Sequence, residues 1–501
     1  MDTLNMKYDD LVAGSGISGM AMALLLAKAG RKVLLIEKQS AIGGCMRRFK
    51  RKGIPFDTGF HFTGGFGGLL SDMLRVLGME KDICPEFLND PKTNRIFLEN
   101  SNSMYEFPSG SDAFGKTLKK YFPDECEAIN KYLHIEDDIE RRTPFMDLNK
   151  LSSEDLFVLM QQIDEDSISL QEYLDSITSN TKLQAVIGNA ALCYGSPPAV
   201  IPLSMHCRAA VGMHKSLARV TGGGDAFINS FKRRAMELNI DIMTNTEISD
   251  IVQRDGKTIS AVRLSNGKTC SFENCILAIH PREIISILPE DAVPESTRQT
   301  IEKYEESFSF FSLFATIQTA CQVPCALTSY LANDNLNEII SPGSDACAMA
   351  ILTGVEVVGN DKVNVLCAFE NEFPGKARRW QNVVCRENDD SYQQYKKCHA
   401  EAMIKKIEKV YPEYAGKINI LSTSSTLTFE EYLPPFGSAY GIMHKVGEQS
   451  LFGRLPVRNF YAIGQSALIP GILGAMLSSF IVGRYLLGRN FISLQTASTG
   501  I

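Results

Sequence analysis

The sequence predicts an α/β fold, and the clearest reason lies near its N-terminus. A short apolar run at 11–13 leads into a G-x-G-x-x-G motif at 14–19, which continues into residues of helical character. A second apolar run at 33–36 ends on Glu37, about 20 residues after the glycines. Strand, glycine turn, helix, strand and acid in this order are typical of a dinucleotide-binding βαβ unit.

Each residue type in this motif has a physical reason. Gly14 permits a tight turn out of the strand, Gly16 lets the backbone approach a pyrophosphate, and Gly19 lets the helix pack closely on the sheet. The helix N-terminus favours the diphosphate, and Glu37 accepts hydrogen bonds from ribose hydroxyls. A glycine-rich turn without a ligand is the alternative, and the flanking elements favour the nucleotide. The expected contacts are Gly14, Gly16, Ser18, Gly19, Glu37 and Lys38.

The residues that follow indicate which dinucleotide binds. SAIGG at 40–44, Phe49 and FDTGFH at 56–61 resemble the FAD-binding segment of the flavin amine oxidase and phytoene desaturase superfamily. Within it, they look most like the carotenoid isomerase and retinol saturase branch. The resemblance implies FAD as the cofactor. A second glycine pair, Gly43 and Gly44, allows another close backbone approach, as a ligand longer than adenosine needs.

Two later segments resemble the same superfamily. At 459–476 the sequence predicts a strand, a loop and a helix whose start is cleared by two glycines, and the resemblance places that start at the flavin pyrimidine edge. Free N–H groups there stabilise the negative charge of a reduced flavin. The block at 222–278 resembles the second FAD segment, which implies an adenine contact near Val252. The C-terminal contacts expected are Gly464, Gln465, Gly471, Gly474 and Ala475.

A chain of 501 residues exceeds one hydrophobic core, so two or three domains are expected. The resemblance implies a discontinuous Rossmann-type FAD-binding domain with an inserted α+β substrate-binding domain, part of which is helical, including 152–160. The FAD-binding domain comprises 1–68, 216–290 and 445–501, and the substrate-binding domain comprises 69–215 and 291–444.

Gly222-Gly223-Gly224 is not followed by the acid and strand of a second dinucleotide motif. Any NAD(P)H would therefore visit the flavin directly. The sequence leaves a quinone, a redox protein or the substrate itself open as the other electron donors.

Composition restricts the partners and the compartment. A hydrophobic content of 44%, a charged content of 22% and a net charge of −7 are typical of a soluble globular protein and argue against nucleic acid. No N-terminal segment has the features of a secretory signal. Thirteen cysteines with no metal-binding spacing indicate reduced thiols, a cytoplasmic location and no metal.

Membrane contact is expected to be peripheral if it occurs. The apolar stretch at 467–487 is interrupted by Pro470 and several glycines, which disfavours a spanning helix. A basic amphipathic helix begins near Ser111, with Ser111 as its expected N-cap. The sequence favours packing of this helix on its own core over membrane binding.

Three residues are candidates for the catalytic wall beside the flavin: His61, Tyr440 and His444. His61 lies in the FAD-binding segment, where a structural contact to the cofactor is its alternative role. Tyr440 and His444 follow a proline-rich, aromatic segment at 432–437 that resembles the saturase and isomerase branch. His206 and His214 lie in SMHCRAAVGMH, where either one faces the substrate or is an ordinary hydrogen-bonded histidine.

The resemblance implies an FAD-dependent oxidoreductase that acts on carbon–carbon double bonds of a long apolar isoprenoid or polyene. A retinoid or carotenoid is the expected substrate, with hydride transfer at flavin N5. Three alternatives remain: a non-redox cis–trans isomerase of a polyene, an oxidase or desaturase of another apolar substrate such as a fatty acid or amine, and a flavoprotein carrier of apolar ligands without catalysis.

Overall fold

A computed structural model describes residues 5–148, 163–433, 435–488 and 490–492. The helix expected at 152–160 and Pro434 of the proline-rich segment lie outside these residues. Within the described ranges, no helix combines the length and apolar character that crossing a membrane requires.

A six-stranded sheet carries the expected βαβ unit. Five neighbouring strands are parallel, and an antiparallel strand closes one edge. Leu11, Val12, Leu34 and Leu35 are fully buried, as expected for a parallel sheet covered on both faces. The strand order is Asp241–Met243, Val33–Ile36, Asp10–Ala13, Asn274–Leu277, Phe460–Ala462 and Gly453–Arg454.

Two buried helices pack against this sheet and against each other. Ile17–Lys28 follows the glycine motif, and Gly471–Leu487 follows the C-terminal strand. The helices approach closely because Gly483 has no side chain: a Cβ there would lie 3.1 Å from Leu25 Cδ1. Ser479 Oγ also donates a hydrogen bond of 2.8 Å to the carbonyl of Ser18. The apolar C-terminal stretch is therefore part of the protein core.

Three strands of a separate four-stranded sheet lie between Asp241–Met243 and Asn274–Leu277 in sequence, and its fourth strand is Asn5–Lys7. Ile248–Asp255 and Thr258–Leu264 pair antiparallel around the Asp255-Gly256 turn. The strand order is Asn5–Lys7, Thr269–Ser271, Thr258–Leu264 and Ile248–Asp255. Two small antiparallel pairs join Arg48–Arg51 to Ile54–Asp57 and Pro85–Phe87 to Ala218–Val220.

A seven-stranded sheet forms the largest β-element. One face packs on the helix Asp390–Val410, where Met403 and Ile407 contact Phe311 and Leu313. The opposite face carries Phe314, Leu352 and Phe369. The strand order is Ile418–Ser424, Ser309–Ile317, Asp361–Glu372, Ala348–Val358, Ala326–Leu331, Asn94–Leu98 and Ser103–Glu106.

Helices form the remaining layer. Ser111–Tyr121 buries Phe114 and Leu118 in the helical core. This burial confirms the expectation that the helix packs on the protein's own core. Its N-cap is Gly110, so the helix begins at Ser111 and the expected Ser111 cap is wrong. The other helices are Leu69–Leu77, Cys126–Arg142, Leu170–Ile177, Thr181–Gly188, Leu203–Lys215, Gly224–Glu237, Pro281–Ile287, Glu295–Glu302, Leu336–Ile339 and Thr426–Tyr432.

Candidate active site

One cavity of about 1080 Å³ joins the glycine motif to the large sheet. Its lining includes Gly14 and Gly16 from the βαβ unit, and Phe310 and Phe369 from the seven-stranded sheet. A cofactor held by the first group therefore lies beside any ligand held by the second.

The sharp turn of the motif requires glycine at two positions, Gly14 and Gly19, because a Cβ there would collide with neighbouring backbone. Gly14 has a φ of +95°, and a Cβ there would lie 2.5 Å from the Ala278 carbonyl oxygen. Gly16 has open space beside it and lines the cavity, as does Ser18. Gly19 does not line it; a Cβ on Gly19 would lie 1.8 Å from the Gly14 carbonyl oxygen. Gly19 therefore supports the turn by packing.

Glu37 and Lys38 lie at the end of the second strand and line the cavity. One carboxylate oxygen of Glu37 accepts hydrogen bonds from Ser15 N at 3.0 Å and Ser15 Oγ at 2.5 Å, and the other accepts one from Gln39 N at 2.8 Å. These donors fix the carboxylate beside the glycine turn. The half-exposed Lys38 ammonium pairs with Glu247 at 3.1 Å.

The second glycine pair packs on the first. A Cβ on Gly44 would lie 3.1 Å from Gly16 Cα, and Gly44 lines the cavity. Gly43 has a φ of +119° and lies behind the lining. Its N–H donates to the Ser15 carbonyl at 3.1 Å, which ties the two glycine segments together.

The C-terminal helix presents its first turn to the same cavity. Gly464, Gln465, Gly471, Gly474 and Ala475 all line it. Side chains would obstruct the turn: a Cβ on Gly474 would lie 2.2 Å from the Ile469 carbonyl oxygen. The first N–H groups of a helix have no acceptor within the helix, so they are available to a ligand.

Val252 lies away from this cavity, contrary to the expected adenine contact. Its side chain is 43% exposed, whereas Ile248, at the start of the same strand, is buried and lines the cavity. The register of this strand shifts twice between Ile248 and Gln253. Such irregularities change which face a residue occupies, so a position carried over from a resemblance can be displaced from the cavity.

His61 and Tyr440 both line the cavity. The His61 ring lies 4.2 Å from the Phe369 ring, centre to centre. Burial, with nearby Arg219 and Arg48, lowers the pKa of His61 to about 3, so the imidazole is neutral near pH 7. Burial raises the pKa of Tyr440 well above its usual value, so its hydroxyl keeps its proton.

A buried charge network lies near His61, and no sequence pattern indicated it. Arg48 pairs with Asp57 at 2.9 Å and with Glu356 at 2.6 Å. Arg219 pairs with Asp57 at 3.4 Å and also contacts Glu356. Two positive and two negative groups balance, which is how buried charges are tolerated. The network links the FDTGFH segment to the large sheet beside His61.

His444 does not line the cavity, so the expectation of a shared wall with Tyr440 is wrong. The residue is buried, its backbone N–H donates a hydrogen bond to Ser196 Oγ at 3.1 Å, and its ring Nδ1 is hydrogen-bonded to the Ser450 hydroxyl at 3.1 Å. Burial lowers the pKa of His444 to about 4. Local packing holds His444 as a neutral structural histidine.

An aromatic wall lines part of the cavity. Phe310 and Phe314 lie on the strand Ser309–Ile317, Phe369 lies on Asp361–Glu372, and Phe429 lies on the helix Thr426–Tyr432; no motif marks these four residues. The Phe308 and Phe310 rings lie 5.8 and 6.1 Å from the Tyr440 ring, centre to centre. The wall residues that line the cavity are Phe308, Phe310, Phe314, Phe369, Phe429 and Tyr440.

The two central histidines have different positions. His214 lines the cavity, whereas His206 is fully buried behind it. The alternative that one of them reaches the substrate cavity therefore applies to His214.

The arrangement fits FAD. The space beside Gly16, the oriented Glu37 carboxylate and the open start of the helix Gly471–Leu487 suit a diphosphate, a ribose and a flavin in turn. The fold and the cavity together are those of an FAD-binding α/β protein.

Comparisons with known proteins agree with this class. The NAD(P)-binding Rossmann-like domain family matches residues 12–77. The chain is 24% identical to human all-trans-retinol 13,14-reductase, covering 97% of this chain and 87% of that protein. It is 22% identical to the chloroplastic prolycopene isomerase of Daucus carota, covering 93% and 77%. These similarities confirm the expected resemblance.

A solved structure supports the fold independently. Putrescine oxidase bound to putrescine superposes with a TM-score of 0.64 at 14% identity, covering 98% of this chain and all of that one. This similarity confirms the predicted α/β fold with its Rossmann-like domain.

Proposed function

We propose that this protein is an FAD-dependent oxidoreductase that acts on carbon–carbon double bonds of a long apolar isoprenoid or polyene, with a retinoid or carotenoid as substrate. The observation that carries the proposal is a single cavity with a nucleotide-binding edge and an aromatic wall. The two relatives, named for a retinol and for prolycopene, support the substrate class.

The lining of the cavity supports a flat apolar substrate. Phe310, Phe369 and Tyr440 present rings rather than charges, and aromatic faces pack well on conjugated chains. Aromatic faces also attract ammonium groups through cation–π contacts, so the wall alone does not separate a polyene from an amine. The relatives named for a retinol and for prolycopene favour the polyene.

The residues that line the cavity have separate roles. Bound FAD supplies hydride chemistry at flavin N5. Gly16 and the helix N-terminus hold the diphosphate, Glu37 binds the adenosine ribose, and the helix start at Gly471 favours charge on the flavin pyrimidine edge. His61 and Tyr440 orient the alkene and exclude water from the reacting carbons.

The domain division proposed from the sequence accompanies this function. Residues 1–68, 216–290 and 445–501 form the FAD-binding domain, and 69–215 and 291–444 form the substrate-binding domain. We further propose an external electron donor, such as NAD(P)H, a quinone or a redox protein. The proposed location is cytoplasmic and peripheral to a membrane, because such a substrate partitions into lipid.

The second candidate is a flavin-dependent cis–trans isomerase of a polyene, which the similarity to prolycopene isomerase favours. An oxidoreductase changes the substrate mass by two hydrogens, whereas an isomerase leaves it unchanged.

An anaerobic titration tests the proposal. The purified yellow protein is reduced with dithionite, excess reductant is removed, and all-trans-retinol or a carotenoid is added. We expect flavin reoxidation, followed at its absorption band, together with a product two hydrogens heavier. An unchanged mass with altered geometry supports the isomerase instead. If no polyene reoxidises the flavin or changes geometry, the proposal is wrong.

A further inference from the structure

A hydrogen-bonded relay of five side chains lies in the helical layer, beside the cavity. Tyr194 bonds His206 Nδ1 at 2.7 Å, and His206 Nε2 bonds the Tyr132 hydroxyl at 3.0 Å. Tyr132 donates to Glu136 Oε1 at 2.9 Å, and the same oxygen accepts from His214 Nδ1 at 2.9 Å. Every member except His214 is buried away from the cavity lining.

The chemistry of the relay fixes where its protons lie. Burial raises the pKa of Glu136, but attraction to His214 and hydrogen bonds from His214 and Tyr132 outweigh burial, so its pKa lies below the usual value. An ionised carboxylate only accepts hydrogen bonds, so the Tyr132 hydroxyl donates a hydrogen bond to Glu136 and accepts one from His206 Nε2–H. Burial lowers the pKa of His206 to about 3, so this neutral ring accepts from Tyr194 through Nδ1.

This order leaves His214 with a defined orientation. Its Nδ1–H donates to Glu136, which leaves Nε2 as the nitrogen that Glu136 does not engage. The ring stacks on Phe114 at 4.1 Å between centres and 15° between planes. A carboxylate on one nitrogen and an aromatic face against the ring hold a histidine as acid–base groups require.

The helix end that carries His214 packs on the backbone segment after His61. Gly212, two residues earlier, accepts a hydrogen bond from Gly65 N at 3.2 Å, and a Cβ on Gly64 would lie 2.2 Å from the Gly212 backbone. The end of the helix Leu203–Lys215 is therefore packed directly on the segment that follows His61. Gly212, Met213 and His214 all line the cavity.

We propose that His214 is the acid–base residue of the substrate cavity, that Glu136 is its positioning residue, and that the pair delivers the proton when a double bond is reduced. This inference rests on the proposed function. Bound reduced FAD would supply the hydride for one alkene carbon and would be left oxidised. The π-electron pair would take the Nε2 proton of the His214 imidazolium onto the other carbon, which would leave His214 neutral until solvent restores its proton. In the reverse direction His214 accepts the proton.

The groups that face this pair come from four elements. Tyr132 and Glu140 lie on the helix of Glu136, and His206 and Cys207 lie on the helix of His214. The remaining neighbours are Phe114 on its own helix and Tyr194 behind His206. Lys215 pairs with Glu140 between the same two helices; Lys215 follows His214 directly, and Glu140 lies about one helical turn after Glu136.

Single-turnover reoxidation of the reduced holoenzyme by all-trans-retinol tests the role of His214. We expect H214Q to slow reoxidation about 10²- to 10⁴-fold, the range for loss of a general acid, while FAD stays bound. E136Q should slow it about tenfold or more for the same reason. E140Q is the matched control because it removes the neighbouring charge pair, and its rate should stay within about twofold of the wild type.

A second readout does not depend on turnover. In protein labelled with ¹⁵N-histidine, the His214 signals, identified by their loss in H214Q, should report Nδ1–H in the wild type. E136Q should change the His214 tautomer, and E140Q should not. Identical His214 signals in E136Q overturn the positioning role even if the protein is inactive.

The outcomes separate the two proposals. A reduced wild type that no polyene reoxidises or isomerises overturns the proposed function. A wild type that turns over at the same rate as a folded, FAD-loaded H214Q overturns this inference alone.

Discussion

At the scale of single residues, two glycines in one motif serve different needs. Gly16 has a φ of −62° and open space at its side, so its lack of a side chain matters only when a ligand is present. Gly19 faces the Gly14 carbonyl at a distance that no side chain tolerates. The motif therefore combines one requirement of the ligand with one requirement of the fold.

The glycine pair gives a prediction that separates binding from folding. We expect G16A to keep the thermal midpoint of the FAD-free protein within about 2 °C, because its φ suits alanine, but to weaken FAD binding about tenfold or more. G19A should lower that midpoint by several degrees because the helix must shift from the sheet. Thermal unfolding and FAD fluorescence titration measure both effects, and equal losses of stability would contradict this division.

At the scale of secondary structure, contact between the helices Ile17–Lys28 and Gly471–Leu487 aligns the two ends of the cofactor site. Their N-terminal turns both line the cavity, and Gly483 against Leu25 sets the distance between them. Any change in this spacing moves one helix start relative to the other. FAD affinity should therefore depend on a contact that lies outside the cavity.

A graded series at Gly483 tests this coupling. G483A should have a small effect because the end of the Leu25 side chain can move by a few tenths of an ångström. G483L should lower the thermal midpoint by about 5 °C or more and release FAD, since overpacking of this kind costs about 1–3 kcal/mol. Differential scanning fluorimetry and the ratio of flavin to protein absorbance report the result. Normal FAD occupancy in a folded G483L would contradict the coupling.

The sequence predicted the elements that depend on residues close together in the chain. The glycine turn, the acid after the second strand and the cleared helix start each follow from neighbouring residues, and the fold they indicate is confirmed. Glu136 and His214 are 78 residues apart, and only the packing of two helices joins them. Of the aromatic wall, Tyr440 was predicted, but Phe310 and Phe369 were missed because they lie on two strands that no motif connects.

Misplaced residues have equally physical causes. Val252 was placed by resemblance to the second FAD segment, but the register of its strand shifts and Ile248, not Val252, lines the cavity. His444 was placed by its nearness to Tyr440 in sequence, but the chain buries it against Ser196. Sequence proximity predicts a shared wall only where the backbone stays regular.

At the scale of the whole molecule, burial of neutral histidines makes stability depend on pH. Burial lowers the pKa of His61 and His206 to about 3 and that of His444 to about 4. In the unfolded chain each histidine titrates near its usual pKa of about 6.5. Between pH 6.5 and 5, the unfolded state therefore binds more protons than the folded state, and acidification favours unfolding.

This linkage gives a measurable slope. Below pH 6.5, each of these histidines should lower the free energy of unfolding by up to about 1.4 kcal/mol per pH unit. H444N should reduce the slope of the wild type by about one histidine's share, because it removes one such group outside the cavity. Urea unfolding at several pH values between 6.5 and 5 measures it. Parallel pH dependences of wild type and H444N would contradict the assignment.

The strand Phe460–Ala462 pairs directly with Asn274–Leu277 in the middle of the parallel sheet, and the helix after it completes the flavin side of the cavity. While the ribosome is still making this protein, the earlier strands must wait for that late partner with an unpaired edge exposed. Cofactor loading must therefore wait until this strand and the helix after it have been made, and shortened chains that lack the strand are expected to be targets for chaperones and proteases.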